Sequence, residues 1–267
     1  MTEAPFPAVT LSLLIAAAAA AQDNLTWNTS SGSWDTTTAN WTGDDTIFAN
    51  GDNVSFNNPS GGTITVTQGM SPTSTTVDST GTYKFITGVS GTGEANSIAS
   101  GTLIKGGSGT LQLGDDVLDQ FASNIYSNGF SSVTVNGGKL LYGSRNALGT
   151  GILTLGDAVE IRKFGQEGNS ASFALLNDIV LNGAVTAYTD FGVKDQWFSG
   201  QISGTGSITV AGSTRSVAFD GDNTFSGGTT LANGTARLFI GHVNALGTGT
   251  LTIDKIGTSN NGVESVS

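Results

Sequence analysis

The feature that most constrains this chain is an internal repeat. The segment Leu140-Leu-Tyr-Gly-Ser-Arg-Asn-Ala-Leu-Gly-Thr-Gly-Ile-Leu-Thr-Leu155 returns as Leu238-Phe-Ile-Gly-His-Val-Asn-Ala-Leu-Gly-Thr-Gly-Thr-Leu-Thr-Ile253. The block Asn-Ala-Leu-Gly-Thr-Gly is identical at 146–151 and 244–249, an offset of 98 residues. Upstream, Asn124-Ile-Tyr-Ser-Asn-Gly129 answers Asn223-Thr-Phe-Ser-Gly-Gly228, with one residue gained or lost between. A unit of strand, glycine turn and strand cannot bury an apolar face by itself. Stacked on an equivalent unit at about 4.8 Å, it closes both faces and pairs every backbone group. The repeat therefore predicts parallel coils piled along one axis. It puts Leu148 and Leu246 on one buried ladder, and Gly149 and Gly247 at a corner where a side chain would clash or φ must be positive.

Short apolar runs between Gly, Asn and Ser clusters supply the strands: Thr63-Ile-Thr-Val66, Leu111-Gln-Leu113, Val133-Thr-Val135, Ile152-Leu-Thr-Leu155, Ile208-Thr-Val210 and Thr250-Leu-Thr-Ile253. The chain is read as all-β. Hydrophobic residues make up 37% of it, enough to offset chain entropy, so the 39 glycines mark turns rather than a disordered linker. Only 12% of residues are charged, the net charge is −11, and no Lys/Arg cluster breaks the acidic balance. Nucleic acid and anionic lipid are therefore not expected partners. The absence of cysteine rules out disulfides, thiolate metal sites and a cysteine nucleophile.

Residues 8–21 form an apolar run whose Ala19 and Ala21 meet the small-x-small rule before Gln22, so residues 1–21 are read as a signal peptide. The leader departs from the usual pattern: it carries Glu3 and no Lys or Arg. The run is shorter than the about 20 apolar residues of a spanning helix, and no membrane span is expected in the mature chain. Trp27, Trp34 and Trp41 follow at intervals of seven residues, but the residues between them are poor helix formers. Three short strands or turns are expected there, with the indoles covering an exposed end. Residues 22–75 are thus an N-terminal cap, and 76–267 the repetitive body, with the best repeat copies at about 98–161 and 202–253.

These motifs resemble the autotransporter-associated β-strand repeat, also called the passenger-associated transport repeat, of bacterial surface proteins. The second copy carries the likeness best, through Ile202-Ser-Gly-Thr-Gly-Ser-Ile-Thr-Val210, Asn223-Thr-Phe-Ser-Gly-Gly-Thr-Thr230 and Ala245-Leu-Gly-Thr-Gly249. In the first copy, Asn128 and Phe130 disturb the Gly-Gly-Thr step, and Asn177-Asp-Ile-Val-Leu-Asn-Gly183 is similar to a repeat opening. The Trp-rich start, with Trp34-Asp35, Asn40-Trp41 and Gly51-Asp-Asn-Val-Ser-Phe56, is similar to the openings of exported proteins with such repeats. The resemblance implies a right-handed parallel β-helix, export, and a passenger or stalk role at the cell surface or outside the cell. Autotransporters end in a membrane β-barrel, and no barrel-like strand series occurs here. A fragment and a protein that does not translocate itself are the two open readings.

No residue is assigned a catalytic, cofactor or metal role, and the chain is expected not to be an enzyme. His242, the one histidine, takes the place of Ser144 in the first copy and reads as a turn residue. Three acidic groups, Asp44-Asp45 with Asp52, Asp115-Asp116 with Asp119, and Asp220 with Asp222, lack a full Ca²⁺ loop and read as solvated turns. A polysaccharide lyase would need a basic residue beside several carboxylates; Arg162, Lys163, Lys194 and Arg215 have no carboxylate ladder near them in sequence. The Gly-x-Gly stretches lack the helix and Lys-Ser/Thr of a phosphate loop. An alternative is a carbohydrate-binding module using Tyr188, Phe191, Trp197 and Phe198, which requires these aromatics on one exposed face. The partner is then an extracellular polysaccharide or another surface component. Individuality should concentrate in the insertion between Leu113 and Asn124.

Overall fold

A computed structural model describes residues 22–87, 98–115, 127–164, 173–189, 195–232, 234, 236–254 and 263–265. The expected signal peptide at 1–21 lies outside the described residues, as do Phe191, Lys194, Asp116, Asp119 and most of the insertion.

The described residues form 23 strands in three sheets. The nine-stranded sheet contains β1 (Asn24–Trp27), β3 (Trp41–Gly43), β4 (Asn53–Phe56), β6 (Ser74–Asp78), β8 (Thr102–Gly106), β10 (Ser132–Val135), β12 (Ile152–Leu155), β14 (Ile179–Leu181) and β17 (Ile202–Gly204). The ten-stranded sheet contains β2 (Ser31–Trp34), β5 (Gly61–Val66), β7 (Thr82–Ile86), β9 (Thr110–Leu113), β11 (Gly138–Tyr142), β13 (Val159–Lys163), β15 (Ala184–Thr189), β18 (Ser207–Gly212), β20 (Thr229–Leu231) and β22 (Leu251–Ile253). The smallest contains β16 (Gln196–Phe198), β19 (Ser216–Phe219), β21 (Arg237–Ile240) and β23 (Val263–Ser265). All six strands read from the sequence are present.

Successive strands from β4 to β15 alternate between the two large sheets, so within this run every pairing joins strands two places apart along the chain. The pairing is parallel throughout, except that β3 runs antiparallel along β1. Parallel neighbours joined through a second sheet are consistent with a β-helix.

Register sets the core. Leu25, Val54, Thr75, Leu103, Val133, Leu153, Ile179 and Ile202 are successive partners across the nine-stranded sheet. Tyr83, Leu111, Leu140, Ile161, Ala187, Val210 and Leu231 do the same in the ten-stranded sheet. All are buried, and all but Thr75 belong to one continuous hydrophobic core. Because side chains alternate across a strand, the intervening threonines and serines face outward.

Trp27, Trp34 and Trp41 lie on β1, β2 and β3, at the N-terminal ends of the two large sheets. They turn inward and pack edge to face, Trp27 on Trp41 at 4.9 Å and Trp34 on Phe48 at 5.5 Å, with Phe56 and Phe85 beside them. The heptad spacing arises because each indole sits at or beside the inward end of a short strand, β1, β2 or β3.

Structure corrects the repeat in two respects. Asn128, not Asn124, matches Asn223: Asn128 Oδ1 accepts from Ile98 N while its Nδ2 donates to Ala147 O, and Asn223 does the same with Ile202 N and Ala245 O. Asn128-Gly-Phe-Ser131 is thus the counterpart of Asn223-Thr-Phe-Ser226, and Phe130 fits the pattern rather than disturbing it. Second, the copies lie one face apart. Ile152–Leu155 pairs in the nine-stranded sheet and Leu251–Ile253 in the ten-stranded sheet. Leu148 and Leu246 therefore stand in different columns, the first fully buried and the second only half-buried. The corner itself is conserved in shape: Gly149 and Gly247 both have φ of 68°, and a Cβ would meet Phe130 O at 2.4 Å and Phe225 O at 2.3 Å.

Candidate functional site

Among the described residues, those singled out from sequence do not converge. His242 is half-exposed; its Nδ1 accepts from Asn244 N at 3.1 Å and lies 3.9 Å from Asp222 Oδ1. Asp222 in turn accepts from Asn244 Nδ2, and Asp220 accepts from the Ser199 hydroxyl. Asp52 is buried and accepts from the amides of Asp23 and Ala49 through separate oxygens, while Asp44 accepts from Asn24. Asp23 is raised above the usual carboxylate value by desolvation and by Asp52, Asp44 and Asp45. Asp115 accepts from the amide and hydroxyl of Thr87. These carboxylates tie the backbone at turns. Among the described residues, no group of three or more His, Asp and Glu side chains could hold a metal ion.

The basic residues separate likewise. Arg162 and Lys163 are adjacent on β13 and so face opposite ways. Arg162 lies on Glu160 and over the Tyr188 ring at 4.0 Å, and Lys139 reaches Glu160 at 3.5 Å. Lys163 is buried, and its Nζ donates to Phe173 O. The candidate aromatics do not share one exposed face. Phe198 is buried against Phe219, while Trp197 is half-buried and stacks on Phe239 at 6.2 Å with 21° between the ring planes.

Two groups that sequence reading passed over bear on the stack more directly. One is the set of buried asparagines, Asn128, Asn177 and Asn223, at corners between strands. Asn177 Nδ2 donates to Gly149 O and Gly151 O, and each of the other two bonds to the coils on both sides. A buried amide with this many partners fixes the spacing of neighbouring segments. The other is Lys105, which stands in an inward column between Val77 and Val135. Its stem substitutes for an aliphatic side chain, and its ammonium donates to the carbonyls of Gly106, Gly107 and Gly137 at 2.5, 3.0 and 3.1 Å. Burial pushes this ammonium below the usual lysine value, and Asp78 offsets part of the effect. A polar residue at an inward position of an apolar alternation was the sequence signal for Lys105.

Two further groups are perturbed. Burial raises the Tyr83 phenol, whose oxygen accepts from Asn58 N. Burial would also raise Asp35, but hydrogen bonds from the amides and hydroxyls of Thr37 and Thr38 outweigh it and hold the carboxyl below its usual value. The outward faces consist mainly of threonine, serine and asparagine, and no helix among the described residues is long and apolar enough to cross a membrane.

The chain is similar to the adhesin BmaC autotransporter of Brucella suis biovar 1 (strain 1330), with 28% identity over 273 residues. The alignment covers 89% of this chain and 7% of that protein, so the chain spans a small part of its relative's length. No family model matches, that of the autotransporter-associated repeat included, and no solved structure matches. The likeness shown is a distant one, to an autotransporter adhesin.

Proposed function

We propose that this chain is a segment of an exported, non-catalytic surface protein, a right-handed parallel β-helix that acts as passenger or stalk and supports adhesion. In this reading residues 1–21 are a cleaved signal peptide, 22–75 an N-terminal cap and 76–267 the β-helical body. The observation that carries it is the register: inward columns of apolar residues pass without interruption of pairing from coil to coil, while hydroxyl and amide side chains cover the outside. Such a scaffold grows by adding coils, which suits a long projecting protein. The antiparallel β3 along β1 supports the cap, because it breaks the parallel repeat at the terminal strand of the nine-stranded sheet. The likeness to an adhesin autotransporter supports the surface role. A carbohydrate-binding or lyase reading lacks comparable support, since among the described residues Phe198 and Lys163 are buried while Trp197, Tyr188 and Arg162 face outward.

Export tests the reading. The full chain, expressed in a bacterium with two membranes, should leave the cytoplasm and acquire a mature start at Gln22, read by mass spectrometry of the intact protein. Retention in the cytoplasm with residues 1–21 uncut would overturn it.

A further inference from the structure

The sequence contains six Asn-Gly pairs, beginning at 50, 128, 136, 182, 233 and 261. Asn-Gly is the pair at which a backbone amide most readily attacks the preceding side chain, because glycine offers no Cβ to hinder the approach. Four of the six lie within the described residues, and their surroundings divide them into two classes.

Asn50 and Asn128 are tied at both reacting groups. Asn50 is exposed, yet its Oδ1 accepts from Ser71 N at 2.9 Å, and Gly51 N donates to Ser71 O at 2.8 Å. Asn128 is buried with both ends of its amide engaged, and Gly129 N donates to Ile98 O at 2.8 Å. In both, the side-chain amide is engaged in hydrogen bonding and the glycine amide proton is occupied.

Asn136 and Asn182 differ. They occupy the same corner, between β10 and β11 and between β14 and β15, and both side chains are exposed. Among the described residues neither side chain makes a hydrogen bond, and neither the Gly137 nor the Gly183 amide donates one. The chain around them is nonetheless held: Asn136 N donates to Lys105 O, Asn182 N donates to Leu155 O, and Gly137 O accepts from Lys105 Nζ. The reacting pair is free while its frame is fixed.

We propose that Asn136-Gly137 and Asn182-Gly183 are the modification sites of this fold, converting spontaneously to aspartate and isoaspartate, while Asn50 and Asn128 are protected. The Gly137 nitrogen, having lost its proton to solvent base, bonds to Asn136 Cγ. The Cγ–Nδ2 bond breaks and ammonia leaves, giving a cyclic imide. Water then adds to either ring carbonyl, and the ring C–N bond opens to aspartate or to isoaspartate. The balance is one water consumed and one ammonia released, with one negative charge gained. Opening to isoaspartate reroutes the main chain through the side chain at a corner where Gly156 and Gly183 lie against the backbone of Asn136 and Asp157. The modification therefore loosens the stack locally as the protein ages.

The test is peptide mapping by mass spectrometry of the full-length chain, incubated folded at mildly alkaline pH, with a parallel sample in urea. Conversion at Asn136 and Asn182 should exceed that at Asn50 and Asn128 by at least about tenfold in the folded sample, and the four should converge in urea. Asn136→Gln with Asn182→Gln should abolish the folded-state gain in negative charge from these corners. Equal conversion at all four sites in the folded chain, or none at Asn136 and Asn182 while the urea sample converts, would overturn the proposal.

Discussion

Asn128 and Asn223 make the same pair of hydrogen bonds: each Oδ1 accepts an amide from one neighbouring coil, and each Nδ2 donates to an alanine carbonyl of the other. The two corners lie on different faces of the stack, so the bonding pattern belongs to the corner rather than to a particular sheet. Replacing either residue by alanine leaves a buried amide proton and a buried carbonyl without partners. Asn128→Ala and Asn223→Ala should each cost about 1–3 kcal/mol in urea unfolding, with Asn223→Asp also destabilising because a carboxylate cannot donate to Ala245 O.

Thr75 interrupts an otherwise apolar column between Val54 and Leu103, fully buried and with its hydroxyl unpartnered. Valine has nearly the same shape and no polar group to desolvate. Thr75→Val should therefore stabilise the chain by about 1 kcal/mol, seen as a higher urea midpoint with unchanged slope.

Trp34 lies at the centre of the aromatic cluster, against Trp41, Phe48, Phe56 and Phe85. Trp34→Ala should cost about 3–5 kcal/mol, and Trp34→Phe distinctly less, because phenylalanine retains an aromatic ring in that space.

Alkaline pH separates Lys105 from Tyr83. With its folded value below 10.5, Lys105 carries its full burial penalty at neutral pH, and stability rises as pH climbs through the folded value toward 10.5. Tyr83 acts in the opposite sense: its contribution is complete below 10.0 and is lost as pH rises through its raised folded value. Urea midpoints taken as pH rises should show Lys105→Met losing the upward trend, and Tyr83→Phe losing the later fall. Parallel profiles for wild type and both variants would contradict these assignments.

Much of the fold was legible because alternation is a local signal: Ile152-Leu-Thr-Leu155 announces a strand whichever sheet receives it. That same locality hid the displacement of the two copies, since Asn-Ala-Leu-Gly-Thr-Gly encodes a turn with Gly149 or Gly247 at positive φ and says nothing about which face follows. The choice of Asn124 over Asn128 failed because matching by residue order ignored which amide reaches Ala147. Lys163 was weighed only as a base without carboxylate neighbours and Lys105 was passed over, although a long aliphatic stem lets lysine join an inward column when carbonyls receive its ammonium. The Trp cluster was legible in its strands but not in its ring partners, such as Phe85, which lie many residues away.

Register between parallel neighbours is the central claim, and the chain's lack of cysteine makes it directly measurable. Thr134 and Thr154 are partners on β10 and β12, and Thr230 and Thr252 on β20 and β22. Each pair, changed to cysteine in the full chain, is predicted to form a disulfide under mild oxidation, with Thr134→Cys and Thr252→Cys together forming none. Cross-linking of Thr134→Cys with Thr252→Cys, or failure of both partner pairs, would contradict the parallel stack described here.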